Sequence, residues 1–262
     1  MNQSERRRYL IDALLREQPR YRRMTIPEGQ DGQEQLLRSL MNVRLPSPVS
    51  PDFETIQDAY LQERNRERGT VWLSDLTPIC PGIYLWQGDI TLLAVGAIVN
   101  AANSGMTGCY QPCHNCIDNC IHTYAGIQLR LACDAIMQKQ GHEEPTGGAK
   151  LTPAYNLPCD YVIHTVGPIV DGPLTAEHEQ QLASCYRSCL ELADRNGITS
   201  IAFCCISTGV FMFPSRRAAE IAIQTVRNYI EQTGSSIQVV FNVFKDCDRE
   251  IYEEILQSMA SV

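Results

Sequence analysis

The chain has 262 residues, enough for one large α/β domain or for one domain with a helical extension. Its formal net charge of −8 argues against a nucleic-acid polymer as the main partner, because such binding runs largely on Lys and Arg contacts to phosphate. No membrane partner is expected either. The opening MNQSERRRYL has no apolar leader core, and the longest apolar run, residues 92–102, is interrupted by Gly96 and Asn100 and is too short to span a bilayer.

Charge and chemistry are unevenly placed. Residues 1–75 hold 12 Arg, no Lys and 12 acidic residues, whereas residues 76–262 hold 10 basic and 18 acidic residues and so carry the whole −8. All 12 Cys and all 5 His also follow residue 79. This step predicts a helical N-terminal extension over 1–75 and a second domain over 76–262. A cytoplasmic location is expected, where Cys residues serve as small buried groups, metal ligands or reactive thiols rather than as disulfides.

In chain order, residues 4–17 read as a helix with Leu10, Leu14 and Leu15 on one side, and residues 31–42 and 52–68 as two more, separated by a loop marked by Pro46, Pro48 and Pro51. Residues 83–87 (IYLWQ) read as a strand and 97–101 (AIVNA) as a fully buried one. Residues 117–140 read as one helix, with Ile117, Ile121, Ala125 and Leu129 at helical spacing. A strand follows at 161–166, a helix at 177–196 stopped by Asn196 and Gly197, and a strand at 201–206. A helix at 215–233 is stopped by Gly234, and a strand at 237–244 and a helix at 247–259 complete the chain. Strands alternating with helices of this length imply a mostly parallel sheet covered on both faces, with ligands beyond the C-terminal strand ends.

Four constellations fall at those ends. Gly88-Asp89-Ile90-Thr91 offers a carboxylate that could accept from an exocyclic amine or simply cap a turn. Asn100-Ala101-Ala102-Asn103 brings two carboxamides out of a buried strand, suited to sugar hydroxyls or to turn formation. Between Cys109 and His122, thiol and imidazole groups crowd into one loop. Cys109, His114 and Cys116 could form a three-ligand zinc set with an open fourth position, and Cys113 and Cys120 are spare candidates. Ser207 to Pro214, between a strand and a helix, offers backbone N–H groups as an anion seat, with Gly209 allowing close approach. His122, one helical turn after Asp118, could support the site from behind but reads first as a core histidine.

In this order, GDIT (88–91), IVNAANS (98–104), IDNCIHTYAG (117–126), TGGAKLTPAYNLPCDYVIHTVGP (146–168) and STGVFMFP (207–214) resemble the macrodomain family over about residues 76–262. The likeness is to the MacroD-type branch, which hydrolyses ADP-ribosyl bonds. Where that branch usually has a Gly-rich loop before the helix, this chain has Cys109 to Cys116. That loop is similar to the Cys-x4-His-x-Cys pattern of zinc-dependent microbial macrodomains, which also carry an N-terminal helical extension. Met212 stands where many macrodomains have Gly.

The resemblance implies a three-layer α/β/α fold with a mixed, mostly parallel sheet, and a zinc-dependent hydrolase that removes mono-ADP-ribose from modified protein side chains. Zinc would be held by Cys109, His114 and Cys116. Asp89 would bind the adenine amine, with Ile90 adding its backbone amide. Ser207, Thr208, Gly209, Val210, Phe211 and Phe213 would form the diphosphate loop, with Phe213 near the distal ribose. Asn103 would hold that ribose, and Asp118 would be the acid/base. Cleavage at the anomeric carbon builds positive charge on the sugar, which a nearby carboxylate stabilises. The implied partners are ADP-ribose and an ADP-ribosylated protein, a lipoylated carrier protein among the candidates. The resemblance also sets Phe244 beside the adenine, but its place at the end of an apolar strand reads as core. A non-catalytic ADP-ribose reader and a structural zinc adaptor are the rival functions. A reader needs neither Asp118 nor a metal-ligand loop, and an open three-ligand set does not suit an adaptor.

Overall fold

The computed structural model describes residues 1–260. The N-terminal segment forms three helices, α1 (Gln3–Glu17), α2 (Gln30–Val43) and α3 (Pro51–Arg68). Each begins where local chemistry favours it. Asn2 and Glu5 form a capping box on α1, and Ser50 accepts from Phe53 N ahead of Pro51 at the start of α3. Their apolar sides, including Leu10, Ile11, Leu14, Leu37, Leu40 and Phe53, share a core that also takes in Ile127.

The rest is built on a seven-stranded sheet of β2 (Pro78–Cys80), β3 (Ile83–Gln87), β5 (Ala97–Ala102), β6 (Ala149–Pro153), β7 (Tyr161–Val166), β8 (Ser200–Phe203) and β9 (Gln238–Val243). The strand order is β2-β3-β9-β8-β5-β7-β6, with the five inner strands parallel and the two edges antiparallel. A small parallel pair joins β1 (Val71–Trp72) to β4 (Leu93–Ala94). Helices α4 (Ile117–Ala125) and α5 (Ile127–Gln140) cover one face, backed by α2 and α3. Helices α6 (Ala176–Arg195), α7 (Ser215–Thr233) and α8 (Asp246–Ala260) form the other layer. The expected three-layer architecture with a mixed, mostly parallel sheet and preceding helices is therefore present. No helix among the described residues is long and apolar enough to cross a membrane.

Three differences from the sequence reading have physical causes. The helix expected over 117–140 is two helices, because Gly126 adopts φ 100° and stands where a side chain would meet Gln128 Oε1 and Gln57 Nε2 at 2.8 Å. The strand expected over 201–206 ends at Phe203, since the chain turns at Cys205, whose carbonyl accepts from Thr208 N. Strands β2 and β6 went unread because they are short edges carrying Pro78 and Pro153, residues tolerated at an edge where their missing N–H is not needed.

Candidate active site

Five parallel strands end on one side of the sheet, and the loops that follow them meet there. Asn100 and His164 are cross-strand partners on β5 and β7, so their side chains lie together. Asn100 Nδ2 donates to Asp118 Oδ1 at 2.8 Å and lies 3.1 Å from His164 Nδ1. That makes His164 Nδ1 an acceptor and puts its proton on Nε2, which faces Thr152 Oγ1 at 3.0 Å. Asp118, in the first turn of α4 and only 5% exposed, is thus gripped through a chain that runs back into the sheet. Its second oxygen, Oδ2, lies 3.4 Å from Asn103 Nδ2. Asn103 is exposed and also donates to Gly108 O.

Burial pushes the Asp118 carboxyl up to about 6, against the opposing pull of the Asn100 hydrogen bond and Arg130. Burial holds His122 well below its usual range, helped by His164 and Arg130, and holds His164 down to about 4. His122 is buried as expected, yet it is more than core. Its Nε2 lies 3.5 Å from Asp118 Oδ1, and its ring packs against Gly108, which has φ 87° and where a side chain would meet the ring at 2.9 Å. His122, Cys133 and His164 form a second grouping of ligand-type side chains, but both His164 nitrogens face the hydrogen-bond partners named above.

Cys109, His114 and Cys116 come together ahead of α4, with their ligand atoms all within 4.8 Å of one another and Cys109 Sγ 3.6 Å from His114 Nδ1. Cys116 is the N-cap of α4, and its sulfur accepts from Asn119 N. Burial raises the Cys116 thiol, and the neighbouring Cys109 and Asp118 raise it further. Two sulfurs and an imidazole at this separation fit a zinc ion in their midst, whose charge would offset that penalty on the thiolate. Cys113 faces away, with its sulfur 3.2 Å from Ser39 Oγ, and Cys120 lies by Arg38.

The loop is held by residues that sequence reasoning missed. Arg38 of α2 donates to His114 O at 2.8 Å and to Asn119 Oδ1 at 3.0 Å. Asn119 donates onward to Gln111 O, and Asn42 Oδ1 accepts from Cys113 N. Buried Arg130 donates to Thr107 O and to the carbonyls of Met41, Asn42 and Arg44, tying the loop to the end of α2. Its only sequence signal is a lone Arg within the apolar run IQLRLAC.

The 207–213 segment curls by bonds from Met212 N to Gly209 O and from Phe213 N to Ser207 O, neither of which uses the N–H groups of Gly209, Val210 or Phe211. Ser207 and Met212 take φ 65° and 54°, the left-handed region that favours glycine. Met212 thus keeps a glycine-like backbone while its side chain stands 61% exposed, with Val210 at 72%. Phe213 is buried and anchors the loop to the core. Asp89 caps the short turn Ile90–Leu92 and is paired with Arg68 of α3. Phe244, expected in the core, is 73% exposed. It follows the last residue of β9, where Gly88 N bonds Val243 O, so its backbone emerges next to the Gly88-Asp89 turn.

The model of the Macro domain family matches residues 99–222. A protein-ADP-ribose hydrolase of Treponema medium is 58% identical over 260 residues, spanning 98% of this chain and 100% of that protein. A protein-ADP-ribose hydrolase of Staphylococcus aureus (strain MSSA476) is 49% identical, spanning 94% of this chain and 93% of that one. Among solved structures, a Trypanosoma brucei macrodomain in complex with ADP-ribose superposes with a TM-score of 0.66 at 32% identity, covering 81% of this chain and 93% of that one.

Proposed function

The chain belongs to the macrodomain family, and from that premise we propose that it is a protein-ADP-ribose hydrolase of the MacroD-type branch that works with zinc. The observation that carries the reading is the buried Asp118 carboxylate, gripped by Asn100 on one oxygen and met by Asn103 at the other, next to a convergent Cys109, His114 and Cys116 set. A module that only reads ADP-ribose has no use for an oriented carboxylate beside metal donors.

Asn103 hydrogen-bonds the distal ribose at the mouth of the site. As the bond between the anomeric carbon and the modified side chain breaks, and the side-chain group leaves with its electron pair, the Asp118 carboxylate stabilises the positive charge on the sugar and then takes the proton of the water that adds to that carbon. Asn100 donates to Asp118 Oδ1 and keeps it turned inward, so Asp118 Oδ2 is the working oxygen. Backbone N–H groups of the 207–213 loop hold the diphosphate without a cationic side chain, which suits a chain of net charge −8. Asp89 accepts from the adenine amine. Cys109, His114 and Cys116 would hold the zinc, which would supply Lewis acidity beside the ribose. All 12 Cys are free, consistent with a reducing, cytoplasmic setting.

The test is release of ADP-ribose from mono-ADP-ribosylated proteins, a modified lipoylated carrier protein among them, by the zinc-loaded chain. Binding without release would leave a reader. Elemental analysis should find about one zinc per chain. A preparation without zinc, or full zinc retention after Ala replacement of Cys109, His114 and Cys116 together, would remove the metal from the reading.

A further inference from the structure

Asp89 does not stand alone at the nucleobase end of the cleft. Its Oδ1 accepts from both Thr91 N at 3.0 Å and Thr91 Oγ1 at 2.7 Å, and its Oδ2 accepts from Arg68 Nη2. The same Arg68 nitrogen donates to Thr91 Oγ1 at 2.9 Å, so the guanidinium bridges the carboxylate and the hydroxyl that caps it. Arg68 Nη1 donates back to Asn65 Oδ1 at 3.3 Å, and the guanidinium carbon lies 3.4 Å from the centre of the Tyr124 ring. Asn65 is itself fixed by donating to the carbonyls of Tyr124 and Asn156. The arginine is therefore held in plane from above, behind and in front. An exposed ion pair contributes little and wanders. This one is sheltered, with the Arg68 side chain 17% exposed and Asp89 34%.

A carboxylate offers about four lone-pair directions. Two on Oδ1 and one on Oδ2 are taken by the donors just named, which leaves a single directed acceptor on Oδ2. Resting on the reading of Asp89 as the adenine partner, we propose that Arg68, the last residue of the N-terminal helices, is a positioning residue that makes this end of the site selective for a 6-amino purine. A 6-oxo purine turns an acceptor toward that lone pair and is rejected, because a site built around one directed hydrogen bond discriminates by leaving its polar group unpaired once the base covers it. The N-terminal helices thereby become part of the nucleotide site as well as a support for it.

The experiment compares ADP-ribose with its hypoxanthine counterpart by calorimetry on the full chain, in the wild type and in Arg68→Ala, Arg68→Lys and Asp89→Ala, each checked for folding by thermal melt. The wild type should prefer ADP-ribose. Arg68→Ala should shrink that preference about tenfold with little change for the hypoxanthine ligand, as expected for loss of a charged hydrogen bond. Arg68→Lys should recover only part, since an ammonium supplies charge without the planar bridge. A folded Arg68→Ala that keeps the preference overturns the proposal. So does equal weakening for both ligands, which marks a merely structural role, or tighter ADP-ribose binding, which marks Arg68 as a competitor for the carboxylate. If Asp89→Ala keeps the wild-type preference, the adenine reading itself fails. If Asp89→Ala abolishes the preference and Arg68→Ala does not, only the role of Arg68 fails. Should Arg68→Ala not fold, Arg68→Gln carries the same comparison.

Discussion

The strand-end half of the site and the half held by α2 and α3 are built by different physics. The first rests on a dry sheet interior in which Ile98, Val99, Ile163, Ile201, Val239 and Phe241 are no more than 1% exposed. Each such side chain contributes roughly 1.5–3 kcal/mol on burial but fixes no direction of its own. The second half meets the site through Arg38 and Asn42 of α2 and Asn65 and Arg68 of α3, whose partners are mostly backbone groups and Asp89, while Arg130 of α5 bonds back to the carbonyls at the end of α2. A bond of this kind contributes about 0.5–1.5 kcal/mol net from a neutral amide and about 1.5–3 kcal/mol from a charged group, and each fixes both a distance and an angle. Apolar burial makes the platform, and polar grafts from the N-terminal helices finish the site on it. Damage to the first half should therefore unfold the protein or stop chemistry, whereas damage to the second should loosen ligands from a folded chain.

The largest expected effect lies on the strand-end half. Asp118→Ala should lower hydrolysis by about 10²–10⁴ while leaving ADP-ribose affinity and zinc content largely intact, the range typical for loss of a general acid/base. If the folded, zinc-loaded variant still releases ADP-ribose at near wild-type rate, the acid/base is another group. The counter-reading, a carboxylate that only favours the first turn of α4, concerns about 0.3–1 kcal/mol of stability and leaves the rate alone.

The next effect probes the chain of groups behind Asp118. Burial keeps the folded His164 neutral down to about pH 4 and His122 neutral as well. The unfolded imidazoles take protons near pH 6.5, so stability is complete above that value and falls as pH drops toward 4, by about 1.4 kcal/mol per unit for each histidine. Asp118 works the other way. Its folded carboxyl is raised to about 6, so between roughly pH 6 and 4 the folded state binds one proton that the unfolded state does not. That offsets one of the two histidines and leaves a net slope of about one proton. Denaturant melts of the metal-stripped chain at pH 7 and pH 5 should show it, and His164→Gln should largely remove it. An unchanged slope in that variant would mean that His164 accepts protons in the fold.

What could be read in advance follows the same division. Helical periodicity and buried parallel strands are local patterns, and the ligand-rich loop from Cys109 to Cys116 declares itself by residue type. Gly126 gives no break in the sequence pattern because the apolar spacing runs straight through it from Ile121 to Leu129, while its φ of 100° and the close approach of Gln128 and Gln57 belong to the fold. Arg38, Arg68 and Arg130 carry no local signal of their roles because their partners are distant in the chain. Arg38 reaches across 76 residues to His114 and Arg68 across 21 to Asp89. In sequence Arg38 and Arg68 look like the charged side of a solvated helix, and Arg130 like a stray charge in an apolar run. Asn100 was seen as a carboxamide for sugar hydroxyls, but its pairing with His164 depends on strand register, which motif reading does not supply.

Arg38→Ala sharpens the contrast from the helix-held side. It removes the donor to His114 O and to Asn119 and leaves the sheet untouched. Zinc affinity, measured by chelator competition, should weaken by about 10–100-fold, as for other partners that orient metal ligands, with little change in thermal midpoint. Equal zinc affinity in the variant and the wild type would show that the loop holds its shape without α2. A large fall in midpoint with unchanged affinity would show that α2 serves the fold instead.

The smallest expected effect on stability belongs to Phe244, and it tests where the boundary between platform and site lies. An apolar residue closing an apolar strand reads as core, and a core Phe→Ala change costs about 3–5 kcal/mol. At 73% exposure Phe244 has little burial to lose, so Phe244→Ala should change stability by no more than about 0.5 kcal/mol. Phe213, 2% exposed on the neighbouring loop, supplies the internal contrast, and Phe213→Ala should destabilise by the full core amount. Ligand binding should divide the two differently. If Phe244 lies against the adenine beside Asp89, its loss should weaken ADP-ribose by roughly 1–3 kcal/mol, the range for one base stacked on an aromatic ring. Matched melts and titrations of the two variants decide the point: a Phe244→Ala chain that melts as early as Phe213→Ala would return the residue to the core. One that melts like the wild type and binds ADP-ribose normally would leave the ring as an exposed apolar group with no part in the nucleotide end.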